Sequence, residues 1–235
     1  MIEAKKVKQY YQQTVQENSD GLDALLKQVG KTFLGETISE NMLMVIIDSI
    51  KFNLSINAND EVIDLGCANG LITINIANSA KYVFGYDLST DLIAVAKKNH
   101  QKKNITYSTS NILDIDFNEI SRHKIYMYEV LQHFEYGMLR KLLDKLIIEL
   151  DFFSLFIGSI PDKNKILMFY DTDERKGFLF NEVLEGSKTH LGNWWYRDHI
   201  LLLCKELGIR ATIIEQDKEL HTAHYRFDVL IEKRK

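Results

Sequence analysis

Glu61-Val-Ile-Asp-Leu-Gly-Cys-Ala-Asn-Gly70 is the stretch on which the fold turns. Val62, Ile63 and Leu65 make the short apolar run that a buried parallel strand requires. Asp64 sits near its end, and Gly66 and Gly70 bracket the loop that follows. Leu71-Ile-Thr-Ile-Asn-Ile-Ala77 then places Ile72, Ile76 and Ala77 on one helical face. Strand, glycine loop, helix is the layout in which backbone approaches a nucleotide-like ligand closely, because side chains in the loop would block the approach. Two glycines four residues apart are common in turns, so a second signal is needed. Lys81-Tyr-Val-Phe-Gly-Tyr-Asp87 supplies it: another apolar strand ends in an acid roughly 20 residues on, where a ribose-binding carboxylate is expected.

Outward from this stretch the chain alternates. Strand 61–65, helix 69–79, strand 82–87 and helix 90–100 lead to strand 105–109, a loop at Asn111–Asp114 and strand 124–130. Helix 136–150 carries Leu139, Leu142, Leu143, Leu146, Ile147 and Leu150, and Phe152–Ile160 is a fifth strand. Such alternation predicts an α/β fold with a mostly parallel sheet, helices on both faces and right-handed crossovers. Upstream, residues 3–17 and 38–53 read as helices of an N-terminal cap, the second with Met42, Val45, Ile46, Ser49 and Ile50 in one buried stripe. Gly30-Lys-Thr-Phe-Leu-Gly35 reads as a loop; its Gly-Lys-Thr lacks the upstream glycine, strand and helix of a phosphate loop. Downstream, residues 162–193 show no clear periodicity and read as an insertion over the sheet's ligand edge. Trp194–Leu207 reads as a helix stopped by Gly208, and strands 209–215 and 225–232 pair antiparallel because no crossover helix joins them. The expectation is seven strands with the last reversed, in one domain: cap 1–55, core 56–161, insertion 162–193, closing segment 194–235.

The totals agree. Of 235 residues, 46% are hydrophobic, enough for a sizeable core. With 29 basic and 33 acidic side chains the net charge is −4, which sets up no field for nucleic acid or an anionic membrane. The two cysteines, Cys67 and Cys204, make no metal-ligand spacing and read as reduced thiols of a cytoplasmic protein. The charged start of the chain leads into no signal region, and no apolar run approaches a membrane span. Oligomeric state is left open by the sequence.

Asp64-Leu-Gly66-Cys-Ala-Asn-Gly70 resembles the glycine motif of class I S-adenosylmethionine-dependent methyltransferases, and the resemblance runs from about Glu61 through Ile160. It implies S-adenosylmethionine as cofactor. It also implies contacts from Asp64, Gly66, Cys67 and Gly70 around the methionine end, and from Asp87 to both ribose hydroxyls. Leu88 and Ile112 would pack on the adenine and Asn111 would meet its amino group, where the family more often has Asp. Glu129, Val130 and His133 match the loop beside the sulfonium, which makes His133 the candidate base, and Tyr11 would lie on an N-terminal lid. Each acid has a plainer competing role as a helix or turn cap. For His133 that competitor is an architectural histidine. A dinucleotide-dependent oxidoreductase shares the strand, loop and ribose acid, but its fingerprint puts glycine where Ala68 stands. A catalytically silent binding module is a third reading, opposed by the intact loop and acid.

For the acceptor, Tyr170, His190, Trp194, His224 and Arg226 are the candidate residues, drawn from the aromatic insertion and the start of the last strand; some of the aromatics must also form the insertion's own core, with Trp194 or Trp195 the first choice for packing. The closing segments resemble, loosely, bacterial methyltransferases of small-metabolite and surface-polysaccharide pathways. The reading is O-methylation of a small polar acceptor such as a sugar or a nucleotide-linked or phosphorylated intermediate. Transfer to tRNA or another macromolecule is the alternative. Asp162, Asp171 and Asp173 read as a charged loop, and no metal site is expected.

Overall fold

A computed structural model describes residues 21–33, 35–118, 123–184 and 191–234, with side chains 182–184 left aside. The expected helix 3–17, with Tyr10 and Tyr11, and the candidate His190 lie outside the described residues. Among the described residues the main sheet has seven strands with a reversed strand near one end, as expected. The chain divides into two compact units, residues 1–127 and 128–235.

In the first unit α1 (Leu22–Gln28) precedes a small antiparallel pair, β1 (Thr32–Phe33) and β2 (Glu36–Thr37), where the sequence reads as a plain loop. Helix α2 (Glu40–Leu54) starts where the Ser39 side chain accepts a hydrogen bond from the Met42 N–H at 3.2 Å. Its buried face is Leu43, Ile46, Ile47, Ile50 and Leu54; Met42 and Val45, expected inside, lie at the margin. Then β3 (Glu61–Leu65), α3 (Leu71–Ile76), β4 (Tyr82–Asp87), α4 (Thr90–Asn99), β5 (Ile105–Thr109) and β6 (Lys124–Tyr128) follow. β3 pairs in parallel with β4 and with β6, and β4 with β5. The registers Asp64↔Gly85 and Asp87↔Thr109 put the carboxyl ends of β3, β4 and β5 side by side. In open parallel sheets that is the edge at which ligands bind.

In the second unit α5 (Tyr136–Glu149) buries Leu139, Leu142, Leu143 and Leu146, and β7 (Phe153–Pro161) follows. The insertion, whose sequence shows no clear periodicity, is helical in its described part: α6 (Ile166–Phe169) and α7 (Asp173–Leu184). Leu179 of α7 packs against a core of Tyr170, Trp194 and Tyr225, while its neighbours Phe178 and Phe180 stay exposed. Helix α8 (Arg197–Glu206) leads to β8 (Arg210–Glu215) and β9 (Arg226–Lys233). β9 runs antiparallel to both β7 and β8. Among the described residues no helix is long and apolar enough to cross a membrane.

Candidate functional site

The glycine loop lies at the end of β3, folded back on β4. Gly66 N–H and Cys67 N–H both donate to the Tyr86 carbonyl, at 2.7 and 3.0 Å. Ala68 N–H donates to Asp87 Oδ2 at 2.9 Å and Ser89 N–H to Asp87 Oδ1 at 2.7 Å. Each carboxylate oxygen thus keeps a further lone pair for another donor. Gly70 has φ +80°, and a Cβ there would stand 2.6 Å from the Tyr107 hydroxyl, so glycine is required on two counts. Ala68, with φ 48°, takes the left-handed conformation without that freedom. Backbone held off its ordinary regions persists where the surroundings over-determine it, and such spots cluster at ligand clamps. Asn69 is the main restraint. Its Nδ2 donates to the Leu25 carbonyl at 2.8 Å and to Gln28 Oε1 at 3.1 Å, its Oδ1 accepts from Leu71 N–H at 3.3 Å, and its carbonyl lies 2.8 Å from His100 Nδ1. One buried side chain therefore ties α1 to the loop and to the start of α3.

Asp64 lies beneath this loop, 3% exposed. The hydroxyls of Thr73 and Tyr126 each donate to its Oδ2 at 2.6 Å, and Oδ1 takes part in neither bond. Burial pushes the carboxyl up to about 7, with the two hydroxyls opposing the shift and Asp87 adding to it. Burial also raises Asp87, against the Ser89 and Ala68 N–H groups. Cys67 and Tyr126 are held well above their ordinary values by burial, so both stay neutral and Cys67 has no thiolate to react. Since the folded-state value of Asp64 exceeds the ordinary 3.8, native protein holds the proton that unfolded chain releases, and stability is lost as pH rises from about 4 to about 7. Asp64→Asn removes that loss: denaturant unfolding of the ligand-free protein should show the variant gaining several kcal/mol relative to wild type between pH 4 and 8. A pH-independent difference would refute the burial account.

The second unit holds a polar cluster of its own. Glu129 (φ 59°) and Ser159 (φ 61°) are both non-glycine residues in the left-handed region. Glu129 N–H donates to the Gly158 carbonyl at 3.0 Å, and Ser159 Oγ to Glu129 Oε1 at 3.3 Å. Ser159 N–H and Gln216 Nε2 donate to Asp228 Oδ1 at 2.7 and 2.9 Å, while burial pushes the Asp228 carboxyl up to about 6. Arg226 Nη1 donates to the Ser159 carbonyl at 2.6 Å and to Gln132 Oε1 at 2.8 Å. His133 ends the short turn Leu131–His133, its Nε2 3.4 Å from Gln132 Nε2. Among the described residues no group of three or more His, Cys, Asp or Glu side chains is arranged to hold a metal.

Residues 62–148 match a family described as a methyltransferase domain. The matched stretch is 87 of the chain's 235 residues. Its fold is shared over most of the length with a SAM-dependent methyltransferase from Anabaena variabilis (TM-score 0.64, 19% identity, covering 98% of this chain and 95% of that one). It is also shared with the magnesium protoporphyrin IX methyltransferase of Synechocystis with bound SAH (TM-score 0.61, 15% identity, 99% and 100%). In sequence, a probable cobalt-precorrin-6B C(15)-methyltransferase (decarboxylating) of Methanobrevibacter smithii is 37% identical over 30% of this chain and 38% of its own. Ribosomal RNA small subunit methyltransferase A of Clostridium botulinum is 31% identical over 56% of this chain and 46% of its own. The chain thus spans less than half the length of these curated relatives.

Within residues 62–148 the structure brings Asp64, Gly66, Cys67, Gly70, Asp87 and Leu88 to one sheet edge, with Asn111 and Ile112 just past the Thr109 partner of Asp87. Leu88 is an exposed apolar side chain beside the acid. Asn111 Oδ1 accepts from Leu113 N–H at 3.1 Å, so it caps a short turn as well as flanking the edge. On the acceptor side three expectations fail. Tyr170 and Trp194 are core residues packed with Tyr225, at ring-centroid distances of 6.3 Å (Tyr170–Trp194) and 6.1 Å (Trp194–Tyr225), and do not line an opening. Arg226, 3% exposed, spends Nη1 on Gln132 and Ser159 and does not stand on a rim. His224 is exposed, edge-on to Tyr225 at 4.8 Å. Sequence reasoning missed Asn69, Thr73, Tyr126, Ser159 and Asp228.

Proposed function

We propose that this protein transfers a methyl group from S-adenosylmethionine to an oxygen of a small polar acceptor. The observation that carries the cofactor assignment is Asp87: two backbone N–H groups hold its carboxylate at the mouth of the glycine loop, each oxygen with capacity to spare for one ribose hydroxyl. The donor set fits. Gly70 leaves backbone room, Leu88 and Ile112 offer apolar surface for a base, and Asp64 and Asp87 offer negative charge to a cationic cofactor. Asn111 retains its amide Nδ2 and a second lone pair on Oδ1 for a polar edge. When bound, that cofactor supplies a methyl group on a sulfonium, which is already an excellent leaving group. The chain's own tasks are then to align the acceptor and to take its proton.

For the acceptor's proton, His133 and the Glu129 carboxylate are the candidate groups of the second unit. Backbone strain at Glu129 and at its partner Ser159 supports a functional role there. The net charge of −4 favours a small acceptor over a polyanion. The match to the ribosomal RNA methyltransferase, longer than that to the cobalt-precorrin enzyme, favours RNA as the second reading. Incubating the protein with methyl-labelled S-adenosylmethionine and, separately, a small-metabolite extract and total RNA decides between them. Label is expected in an alkali-stable methyl ether of the small-molecule fraction; salt-sensitive labelling of RNA would overturn the acceptor assignment.

A further inference from the structure

We propose that Asp64 makes the site prefer the cationic methyl donor over its neutral demethylated product, by releasing a proton when the cation binds. The inference rests on the cofactor reading above and adds a specificity-determining residue to it. Asp64 is buried under the glycine loop with two neutral hydroxyl donors on one oxygen. Among the described residues neither Asp64 nor Asp87 takes part in an ion pair. The groups that face Asp64 are Thr73 from α3, Tyr126 from β6, Tyr107 from β5, Asp87 from β4 and Cys67 from the loop itself. Burial keeps the two tyrosines and the cysteine neutral, so among the described groups facing Asp64 the local balance is two carboxyls and no cation.

Such a carboxyl is expensive to ionise when the site is empty and cheaper when a positive charge arrives. S-adenosylmethionine carries a sulfonium, an ammonium and a carboxylate, one net positive charge; S-adenosylhomocysteine lacks the sulfonium and is neutral overall. The donor therefore drives the Asp64 proton into solvent, and the product, with less to offer the carboxylate, drives it less. Asp87 also titrates, but it serves the ribose, which both ligands share, so its contribution cancels in the ratio of affinities. After transfer the sulfonium charge is gone, Asp64 takes its proton back, and the product lacks the charge–charge attraction that held the donor.

Calorimetric titration of S-adenosylmethionine and of S-adenosylhomocysteine at pH 6 and pH 8, in buffers of different ionisation heat, reads both quantities. The preference for donor over product should rise roughly tenfold from pH 6 to pH 8, with about half a proton released per donor bound at pH 7. In Asp64→Asn, checked for a native unfolding transition, the ratio should be the same at both pH values. An unchanged wild-type ratio, or an equal rise in Asp64→Asn, overturns the proposal. The wild-type ratio and proton count decide the matter even if the variant does not fold. Absence of binding by both ligands at either pH would instead sink the cofactor reading on which it rests.

Discussion

Asp87→Ala lowers the affinity for S-adenosylmethionine by about 10²- to 10⁴-fold while the protein remains folded. Two hydrogen bonds from ribose hydroxyls to a carboxylate are charge-assisted, each contributing about 1.5–3 kcal/mol. The same substitution strips the Ala68 and Ser89 N–H groups of their acceptors, at 2.9 and 2.7 Å, and so also loosens the glycine loop. Asp87→Asn keeps the shape, and its single amide oxygen can satisfy only one of the two N–H groups; it should fall between wild type and alanine. Calorimetry on the three proteins, with far-ultraviolet circular dichroism as the folding control, gives the comparison. Equal affinity in Asp87→Ala would remove Asp87 from the site.

Gly192→Ala is expected to destabilise the second unit by about 2–4 kcal/mol, combining overpacking with the cost of a left-handed backbone. Gly192 has φ +84°, and a Cβ there would collide with the carbonyl oxygen of Gln132, a backbone atom that cannot swing aside. The neighbouring residues show why the approach is so close. Asn193 N–H donates to that same carbonyl at 2.7 Å, the Asn193 side-chain amide donates to the Phe134 carbonyl, and Trp195 Nε1 donates to the Leu131 carbonyl at 3.2 Å. Residues 192–195 thus clamp the turn that carries His133. A denaturant midpoint within error of wild type would show that the turn can move away freely.

The strands were legible because each is a short apolar run with an abrupt polar end. The expected bounds of β3, β4 and β5 agree with the structure, and the antiparallel pairing of β8 and β9 followed from the lack of a crossover helix. α7 was not legible, because Phe178, Leu179 and Phe180 are consecutive and only Leu179 reaches the core, which leaves no helical period to read. The small β1–β2 pair has two residues per strand, too few for an alternation. At the candidate site the residues assigned to a ligand by motif were visible in the sequence, and those that hold them in place were not. Thr73 and Tyr126 meet at Asp64 from 9 and 62 residues away, and Asn69 reaches back 44 residues to Leu25. Nothing local marks such partners. Tyr170 and Trp194 erred the other way: their residue type suits a pocket wall and a core equally, and burial alone tells the two apart.

The central claim is that the glycine loop and Asp87 serve a sulfonium nucleoside and not a dinucleotide, which Ala68 in place of a third glycine already suggests. Calorimetric titration of the wild-type protein with S-adenosylmethionine and, side by side, with NAD tests it most directly. Saturable binding of one S-adenosylmethionine per chain with no heat from NAD is expected. Binding of NAD with none of S-adenosylmethionine would contradict it.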